Sequence, residues 1–395
     1  MIRALAIVVA LAGVAHAERP TLAGEATFGR GSVLVHYATS GPDTATLAFA
    51  TQVADIAEDA LTRLVALGFR RPISDGALGG DDRIDIYLRD LDQADGNVSV
   101  DSCDGDLCVG HAQAENDFAG FGYPSIEEGI RSVVPHELFH LIQNAYSTGQ
   151  SATWSEGSAV WAVEHLYGAG NADFERFLPS FLGKTFRPFE RPAGGFGDAY
   201  PYGASLWPVF LEQEFGASVI VDLWTGCEQG DFLDATAQLV PFDETWIAFT
   251  RRNALTGMYA VDGGYPDASS YPEAPRDEPN AARVAIEGLS ARYVPIILTE
   301  RSRIELATTV RIAASVDNVE FTGSPLAATL EPGGYQLVIT GLSPNTLATQ
   351  VDIAIGPPLD DGGCSAGGAP ALLLAVLLPW RRRRSLARCT SGSRS

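Results

Sequence analysis

The sequence predicts an α+β protein in which a mixed sheet and a set of helices are followed by a small all-β, sandwich-like domain. Three observations carry this expectation. Before residue 261, helical apolar periodicity (44–68, 125–143, and onward from Glu156) alternates with short strand-like runs (33–37 and 83–88). From 282 to 357 there are only short alternating runs, at 283–286, 291–298, 310–314, 335–339 and 350–355, parted by turn signals such as Pro332-Gly333-Gly334. Between the two lies 262–281, rich in proline, glycine and acids, which reads as a linker or long surface loop. With 395 residues, 46% of them hydrophobic, the chain is long and apolar enough to bury a substantial core.

Taken in order, Arg3 precedes an apolar run, 4–14, and the small residues Ala15-His16-Ala17. This is the pattern of a signal peptide over 1–17, too short to span a bilayer, and it predicts a mature chain that begins near Glu18. Residues 33–37 read as a strand. Residues 44–68 place Val53, Ile56, Ala60, Leu64 and Leu67 on one helical face, and Gly68 closes the helix. Residues 83–88 alternate as a half-buried strand does. His36 has no second ligand type at helical spacing and reads as a sheet residue. Cys103 and Cys108 flank Asp104-Gly105-Asp106-Leu107, which in an exported chain predicts a small-loop disulfide. Calcium (Ca2+) held by Asp101, Asp104 and Asp106 is a second reading of this loop; the twelve-residue EF-hand pattern is missing, so a solvated acidic turn is the default.

Ser125-Ile126-Glu127-Glu128 is a capping box that starts the next helix. Pro135 predicts a kink or a fresh start there, which would put His136 in a first turn or just after a bend. The helix then carries Val134-Pro135-His136-Glu137-Leu138-Phe139-His140-Leu141, with the pattern H-E-x-x-H. Four residues apart, His136 and His140 lie on one helical face, where two neutral imidazoles reach one metal ion. Glu137 projects beside that ion, in position to deprotonate a water as general base. A catalytic zinc keeps three protein ligands and an open position, so a third ligand is required. Glu156 is the candidate: fifteen residues separate it from His140, room for a turn at Ser147-Thr148-Gly149 and a second, antiparallel helix packed through Ala159, Val160 and Val163. H-E-x-x-H alone also occurs in ordinary helices. Here Leu138, Phe139, Leu141 and Ile142 bury the helix, and buried histidines with a glutamate need partners or a metal.

H-E-L-F-H followed by Trp154-Ser155-Glu156-Gly157-Ser158-Ala159 resembles the gluzincin metallopeptidases, in which a glutamate of an E-G-x-A helix is the third zinc ligand. More closely, His36 to Gly41, Asp81 to Leu88, His136 to Gln143 and Trp154 to Ala159 are similar to a group of secreted metallopeptidases of myxobacteria. The resemblance implies a gluzincin-like domain over 18–261: an N-terminal mixed sheet with an edge strand, two zinc helices and a C-terminal helical lobe. It implies one catalytic Zn2+ on His136, His140 and Glu156, with Glu137 as base. Residues 109–114 resemble the edge strand that borders the gluzincin cleft and pairs with an extended peptide, with His111 near the cleft but not a ligand. The stretch Asp198-Ala199-Tyr200-Pro201-Tyr202-Gly203 is similar to the Y-x-x-G helix start whose tyrosine donates to the oxyanion. That match falls on Tyr200; Tyr202 is the rival, and an aromatic cap packed on the core is the structural alternative. In thermolysin-like gluzincins an acid four residues after the ligand glutamate orients a ligand histidine. Val160 stands there in this chain, so Glu164, eight residues after Glu156, is the candidate for that role, against an ordinary surface or ion-paired acid. No G-x-M-E-N signature for gripping a free amino terminus is present, which favours an endopeptidase.

Helices are expected to continue through Leu223-Trp224 and 245–250, and Cys227, with no obvious partner, reads as a buried thiol. The β region carries no catalytic constellation. Residues 358–395 hold Cys364, an apolar run over 369–380 and Arg381 to Arg384. This resembles the Gly-Cys, apolar-helix and arginine-cluster signal of myxobacterial surface proteins, which implies a sorting protease as partner and anchoring at the cell surface or outer membrane; a plain tail anchor is the alternative. Setting aside Arg3 and the six arginines beyond Gly363, 49 acids face 20 bases, a net charge of about −29. Such a surface repels nucleic acid and anionic lipid. The sequence therefore predicts an exported, surface-anchored zinc metallopeptidase acting on proteins or peptides. The rival from another class is a non-catalytic adhesin or binding module on the same fold, against which the intact Glu137 argues; a structural zinc would close its shell with four ligands.

Overall fold

The computed structural model describes residues 19–359 except 169–171, 196 and 318. The signal-peptide pattern at 1–17 and the sorting segment with Cys364 lie outside the described residues. The described chain up to Pro358 belongs to one compact unit of mixed α+β structure. Among the described residues no helix is long and apolar enough to cross a membrane.

A five-stranded sheet opens the fold. Its strands are β1 (Ala26–Arg30), β2 (Val33–Tyr37), β3 (Ile84–Arg89), β4 (Gly96–Asp104) and β5 (Leu107–Glu115), in the order β1-β2-β3-β5-β4. β2, β3 and β5 run parallel to one another, while β1 and β4 are antiparallel edges. This corrects the expectation for 109–114: that segment lies in β5, paired on both sides, and the edge is β4. The cause is the hairpin. The Cys103–Cys108 disulfide closes its tip with the two Cα atoms 4.1 Å apart, so β4 folds back along β5 and takes the outer place.

Alternation divides the sheet into two unlike faces. Val33, Val35, Ile86, Leu88, Ala112 and Ala114 pack against the helices α1 (Leu47–Leu67) and α2 (Ile126–Gln143). The other face is polar yet buried. His36 bonds to Glu25 at 2.7 Å and Asp85 at 2.8 Å and stacks on Tyr87, as a sheet residue and not a ligand. His111 Nδ1 lies 3.2 Å from Asp101, and Arg19 joins Asp75, Asp85 and Asp101. Asp101 is thus engaged within the sheet while Asp104 and Asp106 stand exposed at the hairpin tip, so the three acids proposed for calcium do not converge.

α1 begins after Thr46, whose side chain accepts from Phe49 N, three residues later than the sequence pattern suggests, and it ends at Gly68 with φ +121°. α2 is capped by Ser125, which accepts from Glu128 N, and runs without interruption through Pro135. Proline removes one backbone donor, and here that loss is outweighed by burial on both sides. Ile130, Val133, Val134 and Leu141 belong to the sheet core, whereas Leu138, Phe139 and Ile142 belong to the core of the helical lobe. That lobe holds α3 (Ala152–Tyr167), α4 (Ala172–Leu182), the single turn α5 (Tyr200–Gly203), α6 (Leu206–Phe215), α7 (Ser218–Gly226), α8 (Phe232–Leu239) and α9 (Phe242–Asn253). Its centre is aromatic, with Trp154, Trp161, Trp207, Trp224, Phe210 and Phe249 fully buried.

Residues 262–281 carry no regular element but bury Tyr265, Ala268, Tyr271 and Ala274, and Thr256 Oγ1 donates to Pro272 O at 2.9 Å. The β region follows as two four-stranded sheets. β10 (Val319–Glu320), β9 (Ile312–Val316), β12 (Gly333–Gly341) and β7 (Ala291–Leu298) form one. The other is β11 (Leu326–Leu330), β8 (Ser302–Ala307), β13 (Thr349–Gly356) and β6 (Arg283–Ile286). Val294, Ile296, Leu337 and Ile339 of the first meet Val284, Ile304, Leu306 and Val351 of the second in one core, the packing of a β-sandwich.

Candidate metal centre

Two antiparallel helices build the centre. His136 and His140, one turn apart on α2, present edge-to-face rings with centroids 4.7 Å apart. α3 is capped by Ser151, whose side chain accepts from Trp154 N, so Glu156 falls in its second turn, opposite the imidazoles. His136 Nε2 is 3.1 Å from His140 Nε2, and each stands 3.3 Å from the same oxygen, Glu156 Oε2. Ligands about 2.0–2.1 Å from a tetrahedral zinc are themselves roughly 3.3–3.4 Å apart. The three atoms are therefore spaced as three corners of such a tetrahedron, and among the described residues they are the one His/Cys/Asp/Glu group able to hold a metal.

The electrostatics follow from burial and pairing. Burial alone would raise the Glu156 carboxyl, but the facing His140 and hydrogen bonds from both rings hold it well below its ordinary value. Burial would lower His140; the Glu156 charge outweighs it and pushes the ring up to about 9. His136, more deeply buried, is lowered. Burial pushes Glu137 up to about 8, and its Oε2 has no protein hydrogen-bond partner. Glu137 packs against the start of the edge strand β4. A β-carbon built on Gly96 would lie 2.7 Å from Glu137 Oε1, so the glycine makes room for the carboxylate.

The two tyrosines divide differently from the sequence match. Tyr202 stacks on the His136 ring with centroids 5.9 Å apart, and burial together with the nearby Glu156 and Glu137 carboxylates pushes its hydroxyl well above its ordinary value. Tyr200, the expected donor, is turned away: its hydroxyl donates to Arg187 O at 3.3 Å, and the Arg187 guanidinium lies 4.1 Å over its ring. Residues two apart on a helix point about 200° apart, so in the short α5 only one of them can face the triad.

Glu164 does not orient a ligand histidine. Two helical turns beyond Glu156, it is pushed up to about 7 by burial and by the nearby Asp267, Glu175 and Glu212. The outer nitrogen of His140 meets Gln143 instead, with Nδ1 2.8 Å from Oε1. Sequence reasoning missed Gln143, although its place three residues after His140 was a usable signal. It also missed Asp95, buried beside the centre and accepting from Tyr123 Oη at 2.6 Å. The predicted disulfide is present and Cys227 is a buried free thiol.

No family model and no curated protein matches the chain. Among solved structures, the pre-peptidase C-terminal domain of a collagenase from Bacillus anthracis is similar over 21% of this chain and all of that domain, at 8% identity and a TM-score of 0.18.

Proposed function

We propose that this chain is an exported zinc metallopeptidase of gluzincin type that cuts internal peptide bonds. The observation that carries the reading is the convergence of His136 Nε2, His140 Nε2 and Glu156 Oε2 at 3.1–3.3 Å beside a buried glutamate, Glu137, one of whose oxygens has no protein partner. Two imidazoles and one carboxylate suit zinc, and three ligands leave the position that catalysis needs. When bound, the metal would supply a Lewis acid that polarises the scissile carbonyl and acidifies a water.

The chain's own residues do the rest. Glu137 takes a proton from the attacking water at Oε2 and returns it to the leaving amine. Tyr202, stacked on His136 beside Glu156, donates its hydroxyl to the oxygen on which negative charge develops. β4, an edge strand whose first residue packs on Glu137, offers unpaired backbone groups along which an extended peptide can lie. Export and surface anchoring rest on 1–17 and on the Cys364 segment, and the Cys103–Cys108 disulfide suits an oxidising compartment.

Zinc content and casein cleavage test this on residues 18–363. Glu137→Gln is expected to keep one zinc and lose at least about 10²-fold in turnover. Glu156→Gln is expected to lose most of its zinc. A parent that binds zinc but cleaves neither casein nor a broad peptide library would instead be a binding module. A parent without zinc would end the metallopeptidase reading.

A further inference from the structure

Gln143 is buried at the join of the two helices that make the centre. Its amide makes three contacts: Oε1 to His140 Nδ1 at 2.8 Å, Nε2 to Ser155 O at 2.8 Å, and Nε2 to Ser158 Oγ at 3.2 Å. The Ser155 carbonyl can only accept, so the amide NH2 must face it, which fixes which end of the amide is which. The oxygen is then left for His140. An amide oxygen also only accepts, so Nδ1 must carry the proton. In the neutral ring that a metal binds, the lone pair therefore sits on Nε2, the atom 3.1 Å from His136 and 3.3 Å from Glu156.

The network behind the amide is consistent in its donors and acceptors. Ser158 Oγ donates to Trp154 O at 2.6 Å, which leaves its lone pairs to accept from Gln143 and from Trp224 Nε1 at 3.3 Å. Ser155 and Ser158 flank Glu156 on α3. One amide thus joins the ring of the second ligand to the helix turn that carries the third.

From this arrangement we infer that Gln143 is a positioning residue: it selects the Nδ1–H form of His140 and locks the ring to the turn of Glu156, so that both ligand atoms are set before a metal arrives. The inference rests on the metallopeptidase reading above and deepens it. Ordering of this kind lowers the cost of binding, and losing such a partner typically weakens metal affinity by about 10–100-fold.

The test uses the full protein and measures zinc dissociation by competition with a chelator, the melting temperature of the zinc-free chain, and the ¹⁵N spectrum of the zinc-loaded histidines. Gln143→Met keeps length and volume but makes no hydrogen bond; it is expected to bind zinc about 10–100-fold more weakly. Gln143→Glu keeps an acceptor for Nδ1 and is expected to recover affinity relative to Gln143→Met, at a lower melting temperature because its second oxygen faces the Ser155 carbonyl. A purely structural glutamine would lower the melting temperature without moving zinc affinity, and that result overturns the inference. So does a parent spectrum in which His140 Nδ1 carries no proton, a result that needs no variant to fold. A parent that binds no zinc fails at the earlier step and is told apart by that alone.

Discussion

At the scale of single residues, the centre is set by which side chain the local geometry lets through. A methyl group at Gly96 would meet Val133 Cγ1 at 2.5 Å as well as Glu137. Gly96→Ala is therefore expected to shift the Glu137 carboxylate and cut turnover by about tenfold or more with zinc content unchanged, since misplacing a reacting group by about 1 Å costs up to roughly 10²-fold. Titrated zinc alongside steady-state kinetics separates these two effects. Tyr202→Phe should lower turnover about 10²-fold while keeping zinc. Tyr200→Phe should leave turnover near the parent value, because that hydroxyl serves Arg187 O. A Tyr202→Phe enzyme with full turnover would remove Tyr202 from the mechanism. The convergence of His136, His140 and Glu156 was legible because a helix fixes the i, i+4 relation. The choice between Tyr200 and Tyr202 was not. It depends on the rotational phase of a one-turn helix, which its packing against α4 and the triad sets.

At the scale of elements, local signals marked most helices and misjudged how elements pair. The serine cap at 125 and the glycine stop at 68 were readable because each meets a local backbone need. The fresh helix start allowed for at Pro135 did not occur, since α2 is packed from both sides and tertiary contact overrode one missing hydrogen bond. β1, β4, β8, β10 and β11 were not singled out as strands. β4 in particular has a weak apolar pattern, because an edge strand needs less burial than an interior one, and this is why β5 was mistaken for the edge. The hairpin disulfide closes a short loop, so in the chain-entropy view its removal should cost only about 2 kcal/mol. Replacing Cys103 and Cys108 by serine is expected to lower the denaturant midpoint by a corresponding amount while leaving zinc bound, because the tip stays tied to the turn after α2 by backbone bonds, Cys108 N donating to Asn144 O at 3.0 Å and Thr148 N to Asp106 O at 3.1 Å.

For the whole molecule, the β-sandwich is joined to the helical lobe. Trp246 Nε1 donates to Gly341 O at 3.1 Å, Thr250 meets Thr340 at 2.7 Å, and the fully buried Tyr293 donates to Thr250 O at 2.9 Å. Calorimetry of residues 18–358 should show one transition, and a chain ended at 281 should melt lower, because it strips these partners from α9. Stability should also fall between weakly acidic and weakly basic pH. Burial pushes Glu164 and Asp173 up to about 7, whereas both titrate near 4 when unfolded. The folded chain thus holds extra protons between about pH 4 and 7, and the stability they contribute is full below that window and lost as pH rises through it. Thermal melts at pH 5 and 8 check this, and Glu164→Gln should narrow the difference. By itself the sequence determined what is local or periodic: the α+β class, the helix that carries H-E-x-x-H, the pairing of Cys103 with Cys108, and five of the eight short strands of the sandwich. Only the tertiary structure decided which strand lies at the edge, which tyrosine faces the triad, and that Gln143 rather than Glu164 meets the His140 ring. The division has a physical cause: hydrogen bonds and turns repeat within a few residues of chain, whereas the face an element presents depends on partners dozens of residues away.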